Sequence, residues 1–184
     1  MMIMTLKTFF VFIISFMLSS CSQESSLKKR DGLIVYQEAQ ISWSRNFNPL
    51  SPAGSTRWPT KCGIHEPLFV YNSMTGRWVP WLAVSYKWKK NNTVLEMKTR
   101  KNVFWSDGLP FTASDVVFTS KIKKDFKALD TRNSWEYLDQ VVAINDSTVQ
   151  YKFNRVNVPG FDALATQSIV PKHIWEKVED PVRF

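Results

Sequence analysis

The chain has 184 residues and a formal charge of +8, from 24 Lys and Arg against 16 Asp and Glu. That sign suits nucleic acid or an anionic surface, but the cations are scattered, with their densest run at Lys28, Lys29 and Arg30, so charge alone selects neither. Two Cys are too few for a disulfide framework, and the two distant His, His65 and His173, belong to no Cys/His zinc pattern, while eight Trp and 14% aromatic residues are a high content, part of it core and part suited to stacking on flat ligand faces.

Residues 9–18, FFVFIISFML, follow the single cation Lys7. They fall short of the roughly 20 apolar residues that cross a bilayer and match the apolar region of a secretory signal peptide. Leu18-Ser19-Ser20-Cys21 resembles a bacterial lipobox. The resemblance implies cleavage before Cys21 and lipid on that residue, so that 1–20 is a signal peptide and 21–31 a lipid-anchored tether; the alternative is an ordinary signal peptide with Cys21 an incidental thiol. Beside an anchor, Lys28, Lys29 and Arg30 would rest on acidic headgroups at about 1 kcal/mol each. An exported chain has little occasion to meet nucleic acid. Cys62 is then left without an intrachain partner.

GLIVYQ, at 32–37, reads as a buried strand. The stretch SWSRNFNPLSPAGSTRWP that follows has three Pro, a Gly and several Ser and Asn, which make it a long loop, and loops of that length in compact domains are commonly functional. LFVYN and the residues after SMTGRW read as two strands. In VSYKWKKNNTVLEMKTR, Val84, Tyr86 and Trp88 alternate with polar residues around an Asn91-Asn92 turn, a hairpin pattern. Asp107-Gly108 turns the chain and Pro110 keeps Leu109 extended. Thr112 and Asp115 then form a capping box, and Phe118, Ile122 and Phe126 put one apolar stripe on the helix it starts. Lys121, Lys123, Lys124 and Lys127 fall toward its other side and C-terminal end. YLDQVVAIN and STVQYKFN read as strands joined through Asp146, and short helices start after Pro159 and Pro171. Interleaved strands and helices give a mixed α+β lobe. The ending IVPKHIWEKVEDPVRF continues in the manner of structured protein, and the expectation is a chain that stops mid-protein.

Catalytic patterns are missing. His65-Glu66 lacks the second His that a zinc helix needs, Cys62 has no surrounding motif, and neither a nucleophile elbow, a P-loop nor a dinucleotide fingerprint occurs. Asp107, Asp115, Asp139 and Asp146 each have a sufficient role in a turn or cap. Binding without chemistry is the reading that remains, with no cofactor or metal. Its candidates are Trp43, Asn46, Asn48, Arg57 and Trp58 on the long loop, since a Trp face packs on a sugar ring or a peptide side chain while Asn and Arg orient it. The alternative is that these residues pin the loop to its own lobe.

HEPLFVYN, WVPWLAVSYKW, LEMKTRKNVFWSDGLPFTASDVVFT, VVAINDSTVQYKF and IVPKHIWEKV, in that order, resemble the bacterial extracellular solute-binding proteins of family 5, the oligopeptide, dipeptide and oligosaccharide receptors of ABC importers. The resemblance runs from about residue 33 to 184, and FWSDGLPFTASDVVFT is its most specific part. It implies a periplasmic-binding-protein-like II fold, with 32–184 as the first lobe and its inserted subdomain, ending before the second lobe. It also implies a non-enzymatic, exported, monomeric receptor that closes over a ligand and presents it to a membrane permease. His65 stands where the family's YEPL has Tyr. IVPKHIWEKVEDP and the Trp-rich loop are most similar to the cello- and chito-oligosaccharide receptors, with the peptide receptors close behind. Two other classes stay open: a fragment of a secreted hydrolase, and a lipoprotein that offers only a partner-binding surface.

Overall fold

The computed structural model describes residues 45–52, 55–57, 60–61 and 63–184. The apolar N-terminal segment, Cys21, the tether, the strand expected at GLIVYQ, Trp43, Trp58 and Cys62 lie outside the described residues.

Three hairpins supply the strands, each turned by the residue types its sequence offers. β1 (Phe69–Asn72) pairs antiparallel with β2 (Arg77–Pro80). Between them the Asn72 side chain accepts from the Met74 amide at 3.0 Å, and Gly76 takes a φ of 65°, where a side chain would be strained. β3 (Ala83–Lys89) and β4 (Val94–Thr99) form the hairpin expected around Asn91-Asn92. Lys90, Asn91 and Asn92 are all left-handed, with φ of 48°, 51° and 62°; Asn tolerates this through its short polar side chain. The Thr93 hydroxyl closes the turn by donating to the Lys90 carbonyl at 2.7 Å. β5 (Leu138–Asn145) and β6 (Thr148–Phe153) turn at Asp146, where the Asn145 side chain accepts from the Ser147 amide at 3.0 Å.

The second and third hairpins merge into one antiparallel sheet of order β3-β4-β6-β5. α1 (Ala113–Asp125) lies between them in sequence. Strand alternation sends Leu95, Met97, Val149 and Tyr151 to one face, and all four are fully buried in a core that includes Val116 of α1. Each contributes roughly 1.5–3 kcal/mol by leaving water. Two short helices follow, α2 (Gly160–Ala165) and α3 (Lys172–Trp175), starting after Pro159 and Pro171 as the sequence indicates.

α1 carries the capping box expected of Thr112 and Asp115. The Thr112 hydroxyl accepts from the Ser114 amide at 3.2 Å, and the Asp115 carboxylate accepts from the Thr112 amide at 2.9 Å. Its burial differs from the single stripe read in the sequence. Ile122, with Phe118 and Phe126, packs in a second core around Leu50, Leu129, Val170 and Trp175. Val116, Thr119 and Ser120 are buried as well. The two hydroxyls on this further stripe donate to the carbonyls one turn back, Thr119 to Asp115 at 2.8 Å and Ser120 to Val116 at 3.0 Å. Lys123, one turn on, turns toward them and is half-buried, and its ammonium donates to the Gln167 side chain at 2.9 Å. Hydropathy missed this stripe because short hydroxyl residues, satisfied by their own helix, fill it.

Much of the aromatic surplus is packing. Phe161 of α2 meets Tyr86 at 4.3 Å and Trp78 at 5.1 Å between ring centres, and Trp78 in turn meets Tyr71 at 5.1 Å. These rings tie the small β1-β2 sheet to the larger one.

Candidate functional site

An open concavity of about 660 Å³ lies among residues 45–48, the turn at 64–66, the turn at 104–106 and α3. Phe47, Phe104, Trp105, Phe111 and Trp175 give it a largely aromatic wall, and Arg45 and Glu66 supply charge. Phe104 is 62% exposed and Phe47 51%. Large rings held open to solvent around a recess are a common feature of ligand pockets.

The turn that presents Phe104 and Trp105 is built tightly. The Trp105 amide donates to the Leu109 carbonyl at 2.8 Å, and the Gly108 amide donates back to the Trp105 carbonyl at 2.9 Å. Gly108 has a φ of 85°, which explains Gly after Asp107. Trp105 meets Phe111 edge to face at 5.9 Å, fixing one ring against the buried base of the wall.

Two carboxylates, Asp107 of this turn and Asp115 of α1, reach α3. Asp107 contacts the His173 ring nitrogen Nε2 at 2.6 Å. That contact, followed by the Leu109 amide, holds the Asp107 carboxyl below its ordinary range. Asp115 uses one oxygen in the capping box and the other to accept from the Lys172 amide at 2.9 Å. It is 5% exposed, so both bonds are sheltered. His65, which also lines the recess, is pulled below an imidazole's usual pKa by burial, against the opposing effect of a hydrogen bond to the Ile169 backbone. Among the described residues no hydroxyl is hydrogen-bonded to either imidazole, and no three His, Cys, Asp or Glu side chains group as metal ligands.

Of the residues proposed from sequence, Asn46, Asn48 and Arg57 are described. Asn48 lines the concavity but is 2% exposed, with its amide group donating to the Pro181 carbonyl at 2.7 Å and its oxygen accepting from the Leu50 amide at 2.9 Å. Asn46 accepts from the Asn48 amide at 2.9 Å and donates to the Ser51 hydroxyl at 3.2 Å. The Arg57 amide donates to the Asn46 carbonyl at 2.7 Å, so the two ends of the loop are drawn together. Trp43 and Trp58 lie outside the described residues. Phe47, Phe104, Trp105 and the His65-Glu66 pair were not singled out as binding residues. A signal for Phe104 and Trp105 was present, since two large rings next to an Asp-Gly turn cannot both be buried by a turn so short.

The sequence model of the bacterial extracellular solute-binding proteins, family 5 Middle, matches residues 77–183. A probable ABC transporter-binding protein of Deinococcus radiodurans is 26% identical over 142 residues, which is 73% of this chain and 24% of that protein. Among solved structures, the mannohexaose-bound periplasmic oligopeptide-binding protein of an oligopeptide ABC transporter from Thermotoga maritima is 33% identical with a TM-score of 0.69, over 76% of this chain and 26% of the other. The oligopeptide-binding protein AppA from Bacillus subtilis, in complex with a nonapeptide, is 27% identical with a TM-score of 0.64, over 74% and 27%. The elements described above are thus part of a periplasmic-binding-protein-like II fold, and the chain spans about a quarter of the length of the relatives it matches.

Proposed function

Because the chain belongs to the bacterial extracellular solute-binding proteins of family 5, we propose that it serves as a substrate receptor of an ABC importer. It captures an oligopeptide or an oligosaccharide of the cello- or chito-type and passes it to permease subunits without altering it. Residues 1–20 direct export, Cys21 carries lipid, 21–31 form the tether, and 32–184 make the solute-binding part, which acts as a monomer at the outer face of the membrane.

The observation that supports this most is the aromatic concavity. Its rings suit both ligand classes, since a sugar presents C–H faces and a peptide presents side chains to them. Arg45 and Glu66 supply charges of both signs for the ends or polar groups of such a solute. Trp43, Asn46, Asn48, Arg57 and Trp58 remain binding candidates in this reading. Asn46 and Asn48 act through the loop they hold, and that loop carries Phe47 into the wall.

Thermal unfolding with short peptides and with cello- and chito-oligosaccharides tests the reading. A ligand of the native state at 100 times its Kd stabilises by about 2.7 kcal/mol, a rise of several degrees in Tm. One class is expected to raise Tm in the parent chain and to lose the effect in Phe104→Ala. A panel with no shift, or a solute consumed during the assay, overturns it.

A further inference from the structure

The β3-β4 hairpin, with the two residues that follow it, holds most of the protein's net charge. Residues 84–101 contain six cations, Lys87, Lys89, Lys90, Lys98, Arg100 and Lys101, and one carboxylate, Glu96, a balance of +5 within a chain of +8. The sheet register sorts part of this charge onto one face. Lys87 lies beside Glu96 and Gln150, Lys89 is in the row of Lys152, and Lys98 lies between Ser85 and Thr148. All of these alternate with the buried Leu95, Met97, Val149 and Tyr151, so they stand on the face turned away from the core and α1.

Two of the cations are matched there. Lys89 pairs with Glu96 at 2.6 Å and Lys152 with Asp139 at 2.7 Å. Glu96 also accepts from Gln150 at 3.1 Å and feels the charge of Lys87 opposite it, so this one carboxylate is shared between two lysines. Lys87 and Lys98 are exposed and have no ion pair among the described residues. A solvated sheet face with more lysines than carboxylates, next to a turn that adds Lys90, is complementary to an extended anionic surface rather than to a small ligand, which would need a recess.

We infer that the outward face of this hairpin rests on anionic phospholipid headgroups, orienting the receptor on the membrane to which its N-terminal segment leads. The inference rests on the export and anchoring reading but not on the identity of the solute. Each lysine near an acidic bilayer strengthens the contact about five-fold, and the effect vanishes within a Debye length or in high salt. The face therefore acts as an orienting pad for a chain already held at the surface.

The full chain is mixed with vesicles of phosphatidylcholine alone or with added phosphatidylglycerol, and lysine amines are labelled and read by mass spectrometry. Labelling of Lys87, Lys89 and Lys98 is expected to fall on the anionic vesicles only, to recover in high salt, and to leave Lys121 and Lys127 of the α1 side unchanged. In the double variant Lys87→Gln, Lys98→Gln, whose exposed positions spare the core and which sets no second carboxylate opposite Glu96, protection of Lys89 is expected to disappear while Tm stays the same. Equal labelling on both vesicles overturns the inference, as does protection shared with Lys121 and Lys127, or protection of Lys89 that survives the double variant. Protection by soluble polyglutamate equal to that by the vesicles also overturns it, in favour of an acidic protein partner. Solute-induced stabilisation is unaffected by any of these outcomes, so failure here and failure of the receptor reading are separable.

Discussion

Replacing Asp115 by Ala removes one side chain from two helix starts at once. One carboxylate oxygen accepts from the Thr112 amide that begins α1, and the other from the Lys172 amide that begins α3, both at 2.9 Å and both sheltered. A hydrogen bond to a charged group contributes about 1.5–3 kcal/mol. Water regains some of that at the Thr112 end, so the loss is expected at about 3–4 kcal/mol, a large part of the 5–15 kcal/mol typical of a domain. Asp115→Asn keeps one good acceptor and is expected to lose about half as much. Thr112→Ala, which loses only a cap, costs about 1 kcal/mol. Urea unfolding followed by Trp fluorescence gives all three, with the m-value unchanged if both states keep their surface. If Asp115→Ala is no more destabilising than Thr112→Ala, the bridge to α3 carries no energy, and the wall built on Ile174 and Trp175 is held by something else.

Lys123 is shifted by burial to a pKa of about 8, below the usual 10.4 of an unfolded lysine. Between those values the unfolded chain holds a proton that the folded chain has released, so stability rises with pH from about 8 to 10 and the deficit is complete below 8. The ceiling is about 3 kcal/mol, because Lys123 keeps some contact with solvent; Lys123→Met is expected to flatten the rise in urea midpoints. The series stops at pH 10, since burial raises the Tyr151 phenol and its effect has the opposite sign. His173→Ala is expected to return the Asp107 carboxyl toward its ordinary pKa, read by carbon NMR of the side chain, whereas an unchanged value would deny that the ring contact causes the depression. A Cβ at Gly160 would come within 2.9 Å of both Asn157 Nδ2 and the Tyr137 ring, so Gly160→Ala is expected to lower stability by about 1–3 kcal/mol in the same urea assay.

Local signals carried the hairpins and caps, because an Asn-Asn turn, an Asp-Gly turn and a Thr-x-x-Asp box act within a few residues. The pairing of β4 with β6 has no local cause. It follows from burying Leu95, Met97, Val149 and Tyr151 together, which alternation makes plausible but does not impose. The second stripe of α1 was hidden because Thr119 and Ser120 score as polar while bonding within their own helix. The wall of the concavity was hidden differently. Phe104, His65 and Ile174 come from segments about 40 to 110 residues apart, brought together by contacts such as Asp115 to Lys172 and Asp107 to His173. FWSDGLPFTASDVVFT and IVPKHIWEKV resembled family wording separately, and the structure supplies a physical reason for their pairing: the carboxylates of the first segment hold the start of the second.

Under the proposed function, the aromatic recess takes up a solute without reacting with it. The most direct measurement is backbone and side-chain NMR of the full chain titrated with a short oligopeptide and with a cello-oligosaccharide, sampling the solute's own signals in the same tubes. Saturable shifts centred on Phe47, Phe104 and Trp105 are expected with one of the two, and solute signals that stay intact for the length of the experiment. Shifts confined to the opposite side of the sheet, or new product signals from the solute, would contradict it.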